Sequence, residues 1–340
     1  MAGKDTSLDD ALRASIKNAL ASADIQDRTA LLSGVLEEAK QKGKNLRDPL
    51  YRELTKLVTV YKTNPSLSVF IGQEAMKSDI LKRIEVAKRR SQPVPHLLLC
   101  GPREMGKATL ARAIAIEVGA NIRSATTDAF KIDRLEGMIP ILANQTNIKY
   151  RGDLAALVTN LEEGDILLIE EIERLNESVL EVLMQAAGDF QVAVQIGEEQ
   201  IEFLLDLKRF TLIGTTSRAS QVDKRLRRWM IVYDLKPYTA SEIGQIIQLI
   251  AKRENLTIDS EAAIALAEQC AGCPGNARAI VKRVRDYFDP NARGHLTVDL
   301  AQQALLSFGY LGKPSVSTDL ASKVEDMNAL EFGFFAYSYG

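Results

Sequence analysis

The stretch CGPREMGKATLA, residues 100–111, decides the fold. Gly101, Gly106 and Lys107 stand at the spacing G-x-x-x-x-G-K of a phosphate-binding loop, with Pro102 inside it. Glycines let backbone N–H groups approach phosphates, and the helix that follows adds the positive end of its dipole. Lys107 holds the position that neutralises β- and γ-phosphates. The next residue should carry a hydroxyl to hold Mg²⁺ beside the phosphates. Here it is Ala108. Thr109 lies about 100° further round the helix and is a poor substitute. Arg103 and Glu104 fill loop positions that are often small, and Glu104 sets a negative charge near phosphate oxygens. The loop predicts ATP or ADP as ligand and leaves Mg²⁺ open.

The flanking sequence supplies the context such a loop needs. HLLLC (96–100) reads as a buried strand running into the loop, and ATLARAIAIEVG (108–119) as the helix leaving it. DILLIEE (165–171) and RFTLIGTTS (209–217) read as two further buried strands. Continuous apolar strands alternating with amphipathic helices predict an α/β fold with a parallel sheet covered on both faces. The second strand ends in Glu170 and Glu171. Nucleotide hydrolases need two carboxylates there, one to orient Mg²⁺ and one to polarise the attacking water. Glu170 takes the first role, as a weak metal residue, and Glu171 the second; solvated strand-end caps are the plainer alternative. Thr216, at the end of the third strand, is placed either to sense the γ-phosphate or simply to cap the strand.

The rest of the chain bounds the setting. Its 340 residues carry 46% apolar and 26% charged side chains at a net charge of −2, so any nucleic-acid contact must come from a local patch. Basic runs at 88–90, 224–228 and 282–285 are candidates, against solvated faces or subunit contacts as the ordinary reading. No apolar run reaches the ~18 residues of a membrane helix, and the polar N-terminus is no secretory signal, so the expected location is cytoplasmic. Cys270 and Cys273 form a lone C-x-x-C with no second pair to complete a zinc site, and read as small residues at a helix end. Residues 1–63 read as an N-terminal helical segment, with Asn64-Pro65-Ser66 as a linker. Residues 64–235 form the nucleotide-binding α/β domain, 236–311 a helical lid domain, and 312–340 a tail without an assigned fold.

Several motifs in order then resemble one family. RGDLAALVTNLEEGDILLIEEIERL (151–175), followed by DFQVAVQIG and RFTLIGTTSR, is similar to RuvB, the AAA+ motor of Holliday-junction branch migration. FIGQEAMK (70–77), with Ile71, resembles the family's adenine-side motif, and GCPGNARAIVKRVRDYF (272–288) its lid helix. The resemblance implies a nucleotide contact for Tyr238 in KPYT and an oligomeric ring, homo- or hetero-oligomeric. It also marks departures. The loop loses a glycine and the magnesium hydroxyl, and Asp-Glu becomes Glu170-Glu171. The arginine finger, worth about 10³–10⁵ in rate where a partner supplies it, falls at Trp229, with Arg228 one residue short. The lid arginine is Gly275, and Arg278 lies one turn on in a G-N-x-R-like context. An insertion, TDAFKIDRLEGMIPILAN (127–144), precedes RGDLAAL. A strictly alternating hairpin at 190–205 either packs on its own core or, as the resemblance implies, docks a protein partner such as RuvA. The family's DNA-binding winged helix would begin near residue 312, where the sequence lacks its pattern.

Three expectations follow. The leading one is a RuvB-like AAA+ protein of DNA recombination or repair that binds ATP or ADP, hydrolyses it weakly or not at all, and serves as a ring or scaffold subunit. The second is an active ATP-dependent branch-migration motor using Glu170, Glu171 and Arg228. The third is a protein-interaction module that uses the fold without nucleotide.

Overall fold

The computed structural model describes residues 11–16, 18–20, 25–44, 48–126, 145–196, 201–254, 256–288 and 295–309. The insertion at 127–144, the hairpin turn at 197–200 and the tail at 312–340 lie outside them. The chain forms two compact units, one ending at Lys236 and one beginning at Pro237.

The first unit is built on a six-stranded parallel sheet. Its strands are β1 (Leu97–Cys100), β2 (Ile122–Thr126), β3 (Gln145–Asn147), β4 (Ile166–Glu170), β7 (Thr211–Thr216) and β8 (Ile231–Asp234), in the order β3-β2-β4-β7-β1-β8. The apolar runs explain the arrangement. Every residue of β1 and β7 is buried, as are the first four of β4, which requires cover on both faces. On one face Leu98, Leu167, Ile169 and Leu212 pack against α5 (Arg151–Val158) and α6 (Glu177–Gly188) through Leu154, Val158, Val179 and Leu183. The alternate residues Leu97, Leu99, Ile166, Leu168 and Ile213 point the other way and are equally buried. The helix after the phosphate loop, α4 (Lys107–Val118), contacts β4 and β7. In front of the sheet α3 (Glu74–Arg89) is tied to β8, where Tyr233 Oη donates to Asp79 Oδ2 at 2.5 Å and accepts from Arg83 Nε at 3.1 Å.

The N-terminal helices α1 (Ile25–Gln41) and α2 (Pro49–Thr63) share a core with residues 11–16 and 18–20. Leu12, Leu32, Leu54 and Val58 meet there, and Ile116 of α4 joins them. Arg28, only 4% exposed, donates Nη1 to the carbonyls of Ile116 at 2.6 Å and Glu117 at 3.4 Å. These are the open carbonyls at the end of α4, so a cation there also meets the negative end of the helix dipole. Charge-assisted bonds of this kind contribute about 1.5–3 kcal/mol. The stretch Asn64–Ser66, read as a linker, is instead a folded turn. Asn64 caps α2 through Val60 O, Ser66 O accepts from Val69 and Phe70, and Leu67 is fully buried. Polar turn residues look the same in sequence whether or not apolar neighbours anchor them.

A two-stranded hairpin, β5 (Gln191–Ile196) and β6 (Ile201–Asp206), pairs Val192 with Leu205 and Val194 with Phe203. Val192 is buried, and Phe190 and Val194 pack on the same core. In contrast Phe203, Leu204 and Leu205 are 47, 55 and 41% exposed. The β5 half is thus internal and the β6 half open.

The second unit is helical: α8 (Ala240–Arg253), α9 (Ser260–Glu268), α10 (Pro274–Phe288) and α11 (Val298–Ser307), with a short parallel pair, β9 (Thr257–Ile258) and β10 (His295–Leu296). A capping box starts α8: Thr239 Oγ1 accepts from Glu242 N–H at 3.2 Å, and Thr239 N–H donates back to Glu242 Oε2 at 2.7 Å. Ile243, Ile247, Leu266, Ile280 and Val284 fill its core. Cys270 Sγ donates to Leu266 O at 3.4 Å, and burial pushes its thiol up to about 12. No metal-ligand cluster occurs among the described residues. No described helix is long and apolar enough to cross a membrane.

His96 precedes β1 and ties three elements together. Its Nδ1 accepts from the N–H of Leu212 at 2.9 Å, which places the proton on Nε2, and Nε2 donates to Ala187 O at 3.0 Å. A second proton on Nδ1 would break the bond to β7. Burial accordingly holds the ring below its ordinary 6.5. A base lowered on folding stabilises the native state above its unfolded pKa. That contribution is lost as pH falls below 6.5 toward the folded value. Melting temperature is therefore expected to decline as pH drops through 6.5. In His96→Gln this part of the decline should vanish, and equal slopes in both proteins would remove His96 as the cause.

Candidate nucleotide site

The phosphate loop is set by its two ends. Gly101 N–H donates to Thr216 O at 3.2 Å, and Leu235 N–H donates to Cys100 O at 2.9 Å. The end of β1 is thus held between β7 and the exit of β8. Gly101 has φ +145°, and an added Cβ would lie 3.3 Å from both Cβ and O of Leu235. The angle is one that L side chains rarely adopt, and a methyl group there would press on Leu235. Cys100 beneath it is buried beside Asp234, and burial first, then that carboxylate, pushes its thiol up to about 11.

The loop then turns through left-handed Glu104 (φ 61°) and Gly106 (φ 84°) into α4. Met105 between them is buried and anchors the loop. Lys107 Nζ donates to Gly101 O at 2.6 Å and Pro102 O at 2.5 Å, so the amine folds back across the loop it would share with phosphate. Ala108 and Thr109 are half-buried in the first turn, where amide groups point off the helix end.

Glu170 and Glu171 stand at the end of β4, both 13% exposed. Glu171 adopts φ 54°, ψ 51°, a left-handed geometry that costs a non-glycine residue about 1–2 kcal/mol. The short 3₁₀ turn after it, Ile172–Arg174, is seated by Ile172 beneath Gly214. A Cβ on Gly214 would fall 2.8 Å from Ile172 Cδ1, so this close approach needs the glycine.

Both carboxylates face arginines. Arg112 Nη2 lies 3.7 Å from Glu170 Oε1. Arg174 Nε lies 2.8 Å from Glu171 Oε2, and Arg103 Nη2 lies 3.8 Å from Glu171 Oε1. Arg103 is 65% exposed, so solvent screens its contact to below about 1 kcal/mol. Arg112 is 25% exposed and its pair is screened less. At an effective dielectric of about 20 its attraction is of order 4 kcal/mol before desolvation. Burial lowers the Arg112 pKa, and the charge of Glu170 works against that shift. Sequence reading missed Arg112 and Arg174. Helical spacing was the signal: Arg112 is four residues past Ala108, and Arg174 three past Glu171.

These residues do not fit the usual magnesium arrangement. Ala108 offers no hydroxyl, and the carboxylate expected to orient the ion is paired with a guanidinium.

The remaining residues are placed as follows. Thr216 is fully buried, and its Oγ1 accepts from Arg218 N–H at 2.9 Å, which is the strand-capping geometry. Ile71 is half-buried in a turn that Gln73 pins to Lys236, accepting from its N–H at 3.1 Å and donating to its carbonyl at 2.7 Å. Trp229 closes α7 (Lys224–Trp229) and packs edge-on against His96, with ring centroids 5.5 Å apart. It is therefore part of this unit's own core, whereas Arg228 beside it is exposed. In the second unit Tyr238 is buried, with its N–H donating to Gly272 O at 3.0 Å, and Arg278 is exposed on α10.

Comparison with known proteins places the fold in a family. Residues 64–150 and 142–235 match the P-loop domain of the Holliday junction DNA helicase RuvB, and 238–309 match the RuvB AAA lid domain. The Thermotoga maritima RuvB Holliday junction branch migration motor is 33% identical, with 71% of each chain covered and a TM-score of 0.58. A mutant of the same protein is 33% identical over 72% of this chain and 74% of its own, with a TM-score of 0.60. The FIGL-1 AAA domain in complex with ADP, at 18% identity and a TM-score of 0.50, shares the fold.

Gly101→Ala is expected to lose about 1–3 kcal/mol through the clash with Leu235. Urea unfolding measures this, and an unchanged midpoint would mean that the exit of β8 yields to the methyl group.

Proposed function

The chain belongs to the RuvB family of AAA+ proteins, and from that premise we propose that it binds ATP or ADP while hydrolysing it slowly or not at all. In this reading it works in DNA recombination or repair as a nucleotide-holding subunit of a ring or scaffold. One observation carries the proposal. Lys107 and the turn of the loop are retained, whereas the position of the metal-binding hydroxyl is Ala108 and its carboxylate partner Glu170 faces Arg112. Lys107 Nζ would leave the carbonyls of Gly101 and Pro102 for the β- and γ-phosphates. Glu171, with Arg174 at 2.8 Å, is held by a cation at the oxygen that would otherwise polarise water. A missing metal ligand and a missing finger together supply several kcal/mol of barrier, at about 1.4 kcal/mol per tenfold in rate.

The exposed Arg228 favours a second reading, an active motor in which this arginine completes a neighbour's site. The open β6 half of the hairpin supports docking of a protein partner in either reading.

Purified full-length protein is expected to bind ADP and ATP, and Lys107→Ala to lose that binding. Turnover should stay well below the ~1–100 per second typical of kinases. A rate of about one per second that disappears in Lys107→Ala would establish the motor instead. Absence of nucleotide binding would leave an interaction module.

A further inference from the structure

Ala108 and Arg112 are one helical turn apart on α4, and i, i+4 side chains share a face. The face that should present a metal-binding hydroxyl thus presents a methyl group and, behind it, a guanidinium. That guanidinium ends 3.7 Å from Glu170 Oε1. Glu171 lies between Arg174 at 2.8 Å and Arg103 at 3.8 Å. Three separate elements, the loop, α4 and the 3₁₀ turn, each send one arginine to the same two carboxylates.

We infer that this site is built to hold a nucleoside polyphosphate without a metal ion, with Arg112 supplying beside Glu170 the positive charge that a magnesium ion would bring. Arg103 and Arg174 do the same beside Glu171. The inference rests on the nucleotide-binding reading above and names its charge partner. Magnesium requires near-octahedral oxygen ligands and keeps much of its water. A carboxylate already facing a guanidinium is a poor ligand, and the guanidinium repels the ion. Lys107, Arg103, Arg112 and Arg174 stand among Glu104, Glu170 and Glu171, so both strand-end carboxylates already face a guanidinium before any dication arrives.

The test is calorimetric titration of the full chain with ADP, in magnesium and in EDTA. The wild-type dissociation constants are expected to agree within about threefold, a difference below 1 kcal/mol. Arg112→Gln should weaken binding about tenfold in EDTA, with magnesium restoring it, and Arg112→Lys, which keeps the charge, should stay insensitive to metal. Glu170→Gln, nearly isosteric and checked for folding by its urea midpoint, should bind ADP more tightly than wild type in EDTA, because Arg112 is then released to act on the phosphates. A wild-type protein that binds at least tenfold more weakly in EDTA overturns the inference and leaves nucleotide binding intact. So does a folded Arg112→Gln that ignores the metal, or a Glu170→Gln whose affinity in EDTA does not rise. Failure of the wild type to bind ADP in either buffer overturns the nucleotide-binding reading, and this inference with it.

Discussion

The end of β1 is the point on which the site depends. Its last carbonyl accepts a hydrogen bond from Leu235 N–H, and the first amide of the loop donates one to Thr216 O. Both are main-chain bonds, so they bind the loop to the sheet's register rather than to any side chain. Gly101 suits that place because a side chain would be strained at its φ of +145° and would crowd Leu235. From that anchor the rest follows in sequence: the left-handed turn at Glu104 and Gly106, the start of α4 at Lys107, and the direction in which Ala108 and Arg112 project. A shift of one residue in the β1–β7 pairing would rotate every one of these groups away from β4.

Electrostatics then separates this site from an ordinary phosphate loop. A strand-end pair of carboxylates within a mostly buried corner needs compensation, since an uncompensated buried charge is costly. Here Arg112 and Arg174 stand beside the two carboxylates, with the more exposed Arg103 adding little energy of its own. The left-handed geometry of Glu171 belongs to the same design: the 3₁₀ turn that follows brings Arg174 back within 2.8 Å of the carboxylate preceding it.

Much of this was legible in the sequence because apolar runs and glycine spacing are local signals. HLLLC, DILLIE and TLIGTT could be strands only if covered on both faces, and each is a buried strand of one parallel sheet. The loop, the two glutamates and the helical second unit were legible for the same reason. What was not legible depends on contacts between distant segments. Arg28 on the carbonyls of Ile116 and Glu117 spans the whole distance from α1 to α4 in sequence, and nothing near Arg28 announces it. The turn at Asn64–Ser66 looks like a tether until Leu67 and Phe70 are seen to be buried. The hairpin shows the limit of pattern reading most clearly. Strict alternation foretold one apolar face, yet only the β5 half of it is covered, because burial is decided by what lies opposite and not by the strand itself.

Kinship and folding draw different borders across this molecule. The likeness to the family's P-loop domain begins at residue 64. The helix that leaves the phosphate loop, however, finishes on the segment before that border, with Ile116 inside the core of α1 and α2 and its last carbonyls on Arg28. A fragment cut at residue 64 would keep all the shared motifs, yet it would expose Ile116 and take the Arg28 guanidinium from the helix end. The appendage is therefore a permanent part of the nucleotide-binding body. Any expression boundary, domain swap or chimaera that treats it as a detachable leader removes the support under one end of the helix whose other end carries Lys107.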